Sequence, residues 1–287
     1  MIPRAPGDAP ALVPIREMGP RPTRERLDPV AVEEPLEIRV AAGGERRTLA
    51  VTMRTPGGDE ELAVGFLYGE GLVRDRELIA GLAAGTEVDP ETELERDVVE
   101  VELAARRLPN LRSLERHFFT GSACGVCGRA ALDELLVSGC APVGPGPRLA
   151  PAAISALPSV LRAAQRGFEA TGGLHAAGLF DETGRRLAVW EDVGRHNALD
   201  KLVGRAVLDG ELGPGQLLDR RVLLVSGRAS FEILQKSVAA GIPMVCAVSA
   251  PTSLAVEVAE RFGVTLVGFV RDGRFNVYSH PERVEGA

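Results

Sequence analysis

The chain has 287 residues and a formal net charge of −7, and hydrophobic residues make up 45 % of it. This composition is typical of a soluble globular protein with room for one large domain or two modest ones. Its acidic balance and its aromatic content of 4 % argue against a general nucleic-acid binder, which needs a basic surface and stacking side chains. No apolar run reaches the roughly 20 residues of a membrane span, and the N-terminus lacks the apolar core of a signal peptide, so we expect a cytoplasmic protein.

Shifts in composition and periodicity divide the chain into four predicted segments. The first is rich in proline and arginine and lacks periodicity, which is typical of a flexible tail. A small α+β part follows, then a stretch with a cysteine loop, a helix and a linker rich in proline and glycine, and finally an α/β domain. The four segments span residues 1–33, 34–115, 116–145 and 146–281.

Three elements are predicted in the α+β part. Alternating segments on both sides of Gly43-Gly44 predict a hairpin. Asp59 follows a break at Pro56-Gly57-Gly58 and is placed to cap a helix. Residues 97–104 alternate between apolar and polar side chains and therefore predict a strand.

The α/β domain is predicted from strands that alternate with helices. Residues 151–173 predict a helix that Pro158 bends or interrupts and that Gly172-Gly173 ends. Gly184 marks a turn between two paired strands. Later elements follow in the order helix, strand, helix, strand, helix and strand pair, over residues 197–208, 221–227, 230–241, 243–250, 253–263 and 264–279. Such alternation predicts a mostly parallel sheet with helices on both faces.

A loop with two thiols, Cys124-Gly-Val-Cys127, lies among glycines and is followed by strong helix formers. A thiol just ahead of a helix meets the positive end of the helix dipole, which together with Arg129 favours the thiolate. Such a thiolate can attack a persulfide and present the terminal sulfur elsewhere. The second thiol could release that sulfur by closing a disulfide, or could stabilise the persulfide. Cys140 and Cys246 are isolated, and we expect a loop thiol and a buried strand thiol.

Two other chemistries use paired cysteines. A structural zinc site needs four ligands, and the sequence offers neither a second cysteine pair nor a histidine pair at suitable spacing. We therefore predict no metal site. A thioredoxin-like redox pair follows the first strand of a βαβ unit, and this loop does not. Sulfur transfer is the interpretation that we favour.

The segments after two predicted strands favour an anion site. In Val225–Phe231, Gly227 allows close backbone approach, Ser230 can cap the next helix, and Arg228 offers a forked donor to phosphate. Ala250–Ser253 repeats the arrangement one unit later, and free N–H groups at helix starts favour phosphate. Helix capping alone would explain either segment. No Walker or GxGxxG motif follows a strand, which argues against ordinary nucleotide hydrolysis and dinucleotide redox chemistry.

The polar cluster Glu191–Asn197 lies between a predicted strand and a predicted helix. It combines acids, a cation, an imidazole and an amide where a helix cap needs only one such residue. This density favours a ligand site, and we predict that Ser226, Gly227, Arg228 and His196 belong to it.

Two further features are open to two interpretations. His175 lies on an apolar strand, where a lone histidine is more often a satisfied core residue than a ligand. Arg271-Asp-Gly-Arg274 is typical of a hairpin turn, although its two arginines would also suit a phosphate or a carboxylate.

The sequence contains six separated blocks, RTPGGDEELAVGFLYGEGLV, FTGSACGVCG, GGLHAAGLF, EDVGRHNALDKLVG, VSGRASFEILQK and SAPTSLAVEVAERFGVTLVGFVRDGRFNVYS. Together these blocks resemble the FdhD family, the accessory sulfurtransferases of formate dehydrogenase. The resemblance implies that a cysteine desulfurase loads sulfur as a persulfide and that the chain passes it to Mo-bis(molybdopterin guanine dinucleotide), before insertion into formate dehydrogenase. It also implies a homodimer and a cytidine-deaminase-like fold for the C-terminal domain.

The same resemblance implies site residues. Cys124 matches the persulfide cysteine and Cys127 its helper. A C-terminal segment matches the family's cofactor-binding segment, and its residues are Phe269, Val270, Arg271, Asp272, Gly273 and Arg274. Deaminase chemistry is not expected, because Ala-Ala follows His175 where the zinc signature needs a glutamate. Two alternatives stay open: a non-catalytic molybdenum-cofactor chaperone and a thiol-disulfide oxidoreductase.

Overall fold

The computed structural model describes residues 9–20, 23–88, 93, 95–109, 111 and 140–287. The predicted cysteine loop, with Cys124 and Cys127, lies outside the described residues. Within the described part of the chain, no helix is long and apolar enough to span a membrane.

Residues that were predicted to form a flexible tail contribute a two-stranded hairpin. Strand β1 (Ala11–Glu17) pairs antiparallel with β2 (Arg24–Val30) in unbroken register. The prediction of a flexible tail is wrong for these residues. Prolines and charges indicated a tail, but β1 also has a short alternation of half-buried and exposed side chains. Leu12 stays mostly exposed, so main-chain pairing and cross-strand ion pairs such as Arg16–Glu25 (2.8 Å) stabilise the hairpin.

The predicted α+β part contains a four-stranded sheet. Its strands are β3 (Glu34–Ala42), β4 (Glu45–Arg54), β5 (Ile79–Val88) and β6 (Glu95–Leu103). They follow the order β4-β3-β6-β5, with β3 and β6 parallel and the other pairs antiparallel. Gly43 and Gly44 have φ of 58° and 85°, as the predicted hairpin turn requires. β5 was not predicted, because most of its side chains are exposed and its pattern is weak.

Helix α1 (Asp59–Gly69) starts with the residue that was predicted to cap it. The cap position belongs to Gly58, which has φ of 67° and no side chain to cap with. Asp59 instead accepts two hydrogen bonds of 2.9 Å from Arg54, whose side chain is buried. A Cβ on Gly58 would come within 2.5 Å of the Trp190 ring, so both the turn and the packing require glycine here.

The predicted α/β domain contains a six-stranded sheet of mixed direction. Its strands are β7 (His175–Phe180), β8 (Arg186–Asp192), β9 (Val222–Val225), β10 (Met244–Ala247), β11 (Thr265–Arg271) and β12 (Arg274–Ser279). They follow the order β12-β11-β10-β9-β7-β8, in which β9, β10 and β11 are parallel. The pairs β7–β8, β7–β9 and β11–β12 are antiparallel.

The prediction of a mostly parallel sheet is therefore wrong at both sides of this sheet. The turns at Gly184 and Gly273 are short, and a short turn can join only antiparallel neighbours. Since β8 runs back along β7 before the helical connection to β9, β9 is parallel to β8 and antiparallel to β7. The predicted paired strands around Gly184 are confirmed.

Helices cover both faces of the six-stranded sheet, as predicted. They are α2 (Pro151–Arg162), α3 (Arg166–Thr171), α4 (Arg195–Leu208), α5 (Phe231–Ala239) and α6 (Ser253–Phe262). The buried residues of α4, α5 and α6 join the core on one face, and those of α2 join the core on the other. Pro158 lies inside α2, and the chain breaks at residues 163–165 instead, before Gly172 ends α3 with φ of 70°.

Helices α1 and α4 cross with their backbones in contact. A Cβ on Gly65 would come within 1.9 Å of the Asp200 carbonyl oxygen, and one on Gly204 within 1.9 Å of the Glu61 carbonyl oxygen. Glycine is therefore required on both sides of this crossing. Through it, one hydrophobic core extends from the four-stranded sheet to the six-stranded sheet.

Candidate functional site

Five segments meet at one edge of the six-stranded sheet. Because β9, β10 and β11 are parallel, the residues that follow them lie side by side. β7 runs in the opposite direction, which places its first residue, His175, opposite Asp192 at the same edge. The segments are residues 175–176, 192–197, 226–230, 248–252 and 269–274. The fold thus gathers the predicted ligand-binding residues on one edge.

Hydrogen bonds connect the segments that follow β9, β10 and β11. The Ser249 N–H donates to the Gly227 carbonyl oxygen (3.3 Å), and the Phe269 N–H donates to the Ser249 carbonyl oxygen (3.1 Å). Ser226 donates its N–H to the Ala176 carbonyl oxygen, and its hydroxyl accepts from the Ala176 N–H, both at 2.9 Å. The hydroxyl of Ser226 therefore fixes the loop against β7, and the predicted anion loop adjoins the predicted cofactor segment through Ser249.

Two carboxylates of the cluster predicted as a ligand site have structural partners. Glu191 accepts hydrogen bonds from the N–H groups of Gly167 and Phe168, at 2.9 and 2.8 Å, where α3 begins. Asp192 is fully buried and forms an ion pair of 2.7 Å with Lys201. These two acids hold the scaffold of the site, so its ligand-binding part is smaller than the predicted cluster.

Asp192 and Lys201 also connect the six-stranded sheet to the loop after β4. Asp192 accepts from the Thr55 N–H (3.2 Å) and from Asn197 Nδ2 (3.0 Å), while Lys201 Nζ donates to the Thr55 carbonyl oxygen (2.9 Å). Asn197 Nδ2 also lies 2.8 Å from the Met53 carbonyl oxygen. Sequence reasoning missed Lys201, although a lysine within the apolar stretch of α4 was an available signal.

His196 links the starts of α4 and α5. Its Nε2 lies 3.2 Å from the Ser230 hydroxyl oxygen, and its Nδ1 lies 2.8 Å from the Glu232 carboxylate, whose pKa this contact lowers. Ser230 occupies the N-cap position of α5 without a side-chain cap bond. The predicted cap is therefore wrong, because the hydroxyl is bonded to His196 instead. Thr252, by contrast, caps α6 by accepting from the Ala255 N–H at 3.3 Å.

His175 and Arg195 both lie close to Gly227. A Cβ built on Gly227 would lie 3.4 Å from His175 Nδ1 and 3.7 Å from Arg195 Cδ. Burial lowers the pKa of His175, the charges of Arg195 and His196 lower it further, and Asp192 opposes them. Among the described residues, neither the His175 nor the Arg195 side chain has a hydrogen-bond partner, and Arg195 Nε is buried. His175 is thus half-buried and has no hydrogen bond to a described side chain, so it is not a fully buried core residue.

The predicted cofactor segment Phe269–Arg274 forms an irregularity in β11 and the turn to β12. Phe269 has φ of 54° within a register shift of the sheet, which is uncommon for a residue other than glycine. The guanidinium carbon of Arg271 lies 5.5 Å from the centre of the Phe269 ring. Residues 271–274 are exposed, as is Arg228 in the neighbouring loop. Val270 is fully buried in the core, so only its main chain is available to a ligand.

The structure describes two of the four cysteines. Cys246 is fully buried in β10, which raises its pKa to about 12, as the predicted buried strand thiol implies. Cys140 is half-buried, and burial raises its pKa against the opposing charge of Arg74. Both environments disfavour the thiolate that sulfur chemistry needs. In the part of the chain that the structure describes, no group of three or more His, Cys, Asp or Glu residues is placed to hold a metal ion.

Comparison with known proteins gives matches over most of the chain. The model of the FdhD/NarQ family matches residues 31–285. Sulfur carrier protein FdhD of Streptomyces coelicolor is 49 % identical over 264 residues, which cover 90 % of each chain. That of Thermoplasma volcanium is 41 % identical over 263 residues, covering 91 % of this chain and 90 % of the relative. The crystal structure of a protein described as a formate dehydrogenase accessory protein from Desulfotalea psychrophila superposes with a TM-score of 0.70 at 26 % identity, covering 96 % of this chain and 99 % of that one.

Proposed function

The chain belongs to the FdhD/NarQ family, and from this we propose that it is a sulfur carrier that serves formate dehydrogenase. We propose further that it takes sulfur from a cysteine desulfurase as a persulfide. It then transfers this sulfur to Mo-bis(molybdopterin guanine dinucleotide) before that substrate is inserted into formate dehydrogenase. The observation that carries the proposal is the match to proteins named sulfur carriers at 49 % identity across 90 % of the chain.

Cys124 is the proposed persulfide residue. Its thiolate attacks the terminal sulfur of the desulfurase persulfide, the sulfur–sulfur bond of the donor breaks, and the donor cysteine leaves as a thiolate. The environments of Cys140 and Cys246 support this choice, because burial raises the pKa of both thiols. A buried neutral thiol is a poor nucleophile for such an exchange.

Cys127 is the proposed helper residue. Its thiolate can attack the inner sulfur of the Cys124 persulfide, which closes a disulfide and releases the terminal sulfur as hydrosulfide to the acceptor. A thiol reductant must then reopen the disulfide before the next cycle. If Cys127 instead only stabilises the persulfide, no disulfide forms during turnover.

The edge of the six-stranded sheet is the proposed binding site for the guanine dinucleotide substrate. Arg271 and Arg274 are exposed at the β11–β12 turn and can donate forked hydrogen bonds to phosphate oxygens. Phe269, Asp272 and Gly273 belong to the same segment. Ser226, Gly227, Arg228 and His196 belong to the adjoining loops. The bonds through Ser249 support a single site, because they hold the two groups side by side.

The homodimer, the cytoplasmic location and the likeness to the cytidine-deaminase fold remain part of this proposal. The position of β7, antiparallel between β8 and a run of three parallel strands with helices on both faces, supports an open α/β fold of that kind.

Incubation with a cysteine desulfurase and cysteine, followed by mass spectrometry of the cysteine-loop peptide, tests the function. A gain of one sulfur atom on Cys124 is the expected result. A protein that binds guanine nucleotides but never gains sulfur would instead be a non-catalytic cofactor chaperone. A protein that only cycles between dithiol and disulfide would be a thiol-disulfide oxidoreductase.

A further inference from the structure

The unpartnered Nε of Arg195 indicates a missing acceptor. In the described part of the chain, buried side-chain polar atoms without a hydrogen-bond partner occur at Arg195 Nε and Arg221 Nε. Leaving such a group unsatisfied is unfavourable, so a partner is expected. Arg221 precedes β9 and lies at the opposite edge of the sheet, whereas Arg195 opens α4 at the edge where the candidate site lies.

The carboxylates near Arg195 are already bonded to other cations. Asp192 forms its ion pair with Lys201, and Glu232 forms its ion pair with His196. No described carboxylate lies within ion-pair distance of Arg195. The described residues therefore provide no acceptor for Arg195 Nε.

Gly227 lies next to both His175 and Arg195. An ideal Cβ on Gly227 would lie 3.4 Å from His175 Nδ1 and 3.7 Å from Arg195 Cδ, so both side chains approach the same glycine. His175 is half-buried, and no described side chain hydrogen-bonds to its ring nitrogens. An imidazole and the side chain of an arginine, both without a described hydrogen-bond partner, thus approach the same backbone position, which carries no side chain. Two such donors with open backbone between them are suited to phosphate oxygens.

We propose that His175 and Arg195 bind one phosphate group across Gly227, as a subsite separate from the Phe269–Arg274 segment. The identity of this phosphate as part of a pyrophosphate of the guanine dinucleotide rests on the proposed function. The existence of the anion subsite rests on the geometry alone. Because the subsite recognises phosphate oxygens rather than the base, inorganic pyrophosphate is sufficient as a probe.

Calorimetric titration of the full chain with inorganic pyrophosphate tests the subsite. Arg195→Gln should weaken binding by about 10- to 100-fold, the effect of losing a charge-assisted hydrogen bond, and Arg195→Lys should restore part of it. Gly227→Ala should weaken binding comparably, since its methyl group would stand between the phosphate and the backbone. Its ordinary van der Waals distances to His175 and Arg195 should leave thermal unfolding unchanged. His175→Gln should weaken binding by a smaller factor, because only one donor is altered.

Arg221→Gln is the matched control, since it removes the other buried unpartnered arginine at the opposite edge. It should leave pyrophosphate affinity unchanged. The proposal is overturned if the wild-type chain does not bind pyrophosphate, or if Arg195→Gln and Gly227→Ala both bind it as the wild type does. Persulfide loading is measured on the same samples: its failure in a chain that binds pyrophosphate would count against the sulfur-carrier function and leave the subsite standing.

Discussion

The imidazole of His196 lies 3.2 Å from the hydroxyl oxygen of Ser230, although Ser230 stands at the N-cap of α5. This contact diverts the hydroxyl from the helix that it would ordinarily cap. Thr252 occupies the matching position before α6 and does cap its helix. Both helices start at the same edge of the sheet. The N-cap side chain of α6 caps its helix, whereas the N-cap side chain of α5 contacts His196 of the candidate site.

This difference predicts that two similar substitutions affect different properties, the first the free energy of unfolding and the second the affinity for a guanine nucleotide. Thr252→Ala should lower the free energy of unfolding by about 1 kcal/mol, because it removes a helix cap. Ser230→Ala should reduce GDP affinity severalfold, because His196 loses one of its two partners, and Ser230→Thr should restore it. Urea denaturation and calorimetric titration measure the two effects. Wild-type GDP affinity in Ser230→Ala would show that Ser230 does not position His196 for binding.

The cysteine assignments predict a division of roles. Cys124→Ala should abolish sulfur loading from a desulfurase, because it removes the proposed nucleophile. Cys127→Ala should still load sulfur but turn over or release it more slowly. Labelled cysteine and mass spectrometry of the loop peptide follow both steps. Normal loading in Cys124→Ala with none in Cys127→Ala would mean that the roles are reversed.

The arginines of the β11–β12 turn should contribute to guanine nucleotide binding. Arg271→Ala or Arg274→Ala is expected to weaken GDP binding by about 10- to 100-fold, since each removes a charged donor to phosphate. Persulfide formation at Cys124 should continue. Arg220→Ala is the control, because Arg220 is an exposed arginine just before β9, at the opposite edge. Wild-type affinity in both turn variants would assign these arginines to a surface hairpin alone.

The ion pair between Asp192 and Lys201 should contribute strongly to stability where the six-stranded sheet meets the loop after β4. Lys201→Met leaves the carboxylate of Asp192 buried without its cation, which typically costs about 3–5 kcal/mol. The double variant Asp192→Asn with Lys201→Met should lose less, because neither charge is then left alone. Urea denaturation of both variants measures the difference. A double variant less stable than Lys201→Met would contradict this account.

Glu37 should make the stability of the four-stranded sheet depend on pH. Its hydrogen bond from Arg39, with help from Thr48 and Arg96, lowers its pKa from 4.5 to about 2 against the effect of burial. A lowered pKa stabilises the fold above the unfolded value and loses that contribution as pH falls from 4.5 towards 2.

Glu37→Gln should therefore lose at most about 3 kcal/mol of stability at neutral pH. Its free energy of unfolding should also fall less steeply than that of the wild type as the pH is lowered from 4.5 towards 2. Denaturation curves at several pH values give the slope. Glu87→Gln is the control, since Glu87 also pairs with Arg39 but is half exposed. If the free energy of unfolding of Glu37→Gln falls with acid as steeply as that of the wild type, Glu37 is not the source of this pH dependence.

Local sequence patterns were sufficient for much of the secondary structure. The hairpins at Gly43-Gly44 and Gly184 were predicted because each turn needs a positive φ that glycine adopts without strain. The strands β9 and β10 were predicted from short apolar runs, since a strand buried on both faces needs apolar side chains throughout. The family resemblance, carried by several collinear motifs, was confirmed by the match over residues 31–285.

Contacts between residues far apart in the chain determined the strand order and the partner of Ser230, which local sequence patterns do not predict. The sheet is mixed because β8 returns along β7 before the chain crosses to β9, and no local pattern states which strands become neighbours. Ser230 has the residue type and position of a cap, yet His196 from another helix takes its hydroxyl.

The ligand site shows the same division between sequence and fold. Gly227 was predicted to allow close approach of a ligand to the backbone, and this was a local inference. That His175 and Arg195 border it followed only from the antiparallel pairing of β7 with β9 and from the start of α4 at the same edge. Sequence thus determined which groups carry donors and where the backbone is open, whereas tertiary structure decided which donors remain unpartnered, because a hydrogen bond depends on distances between residues far apart in the chain.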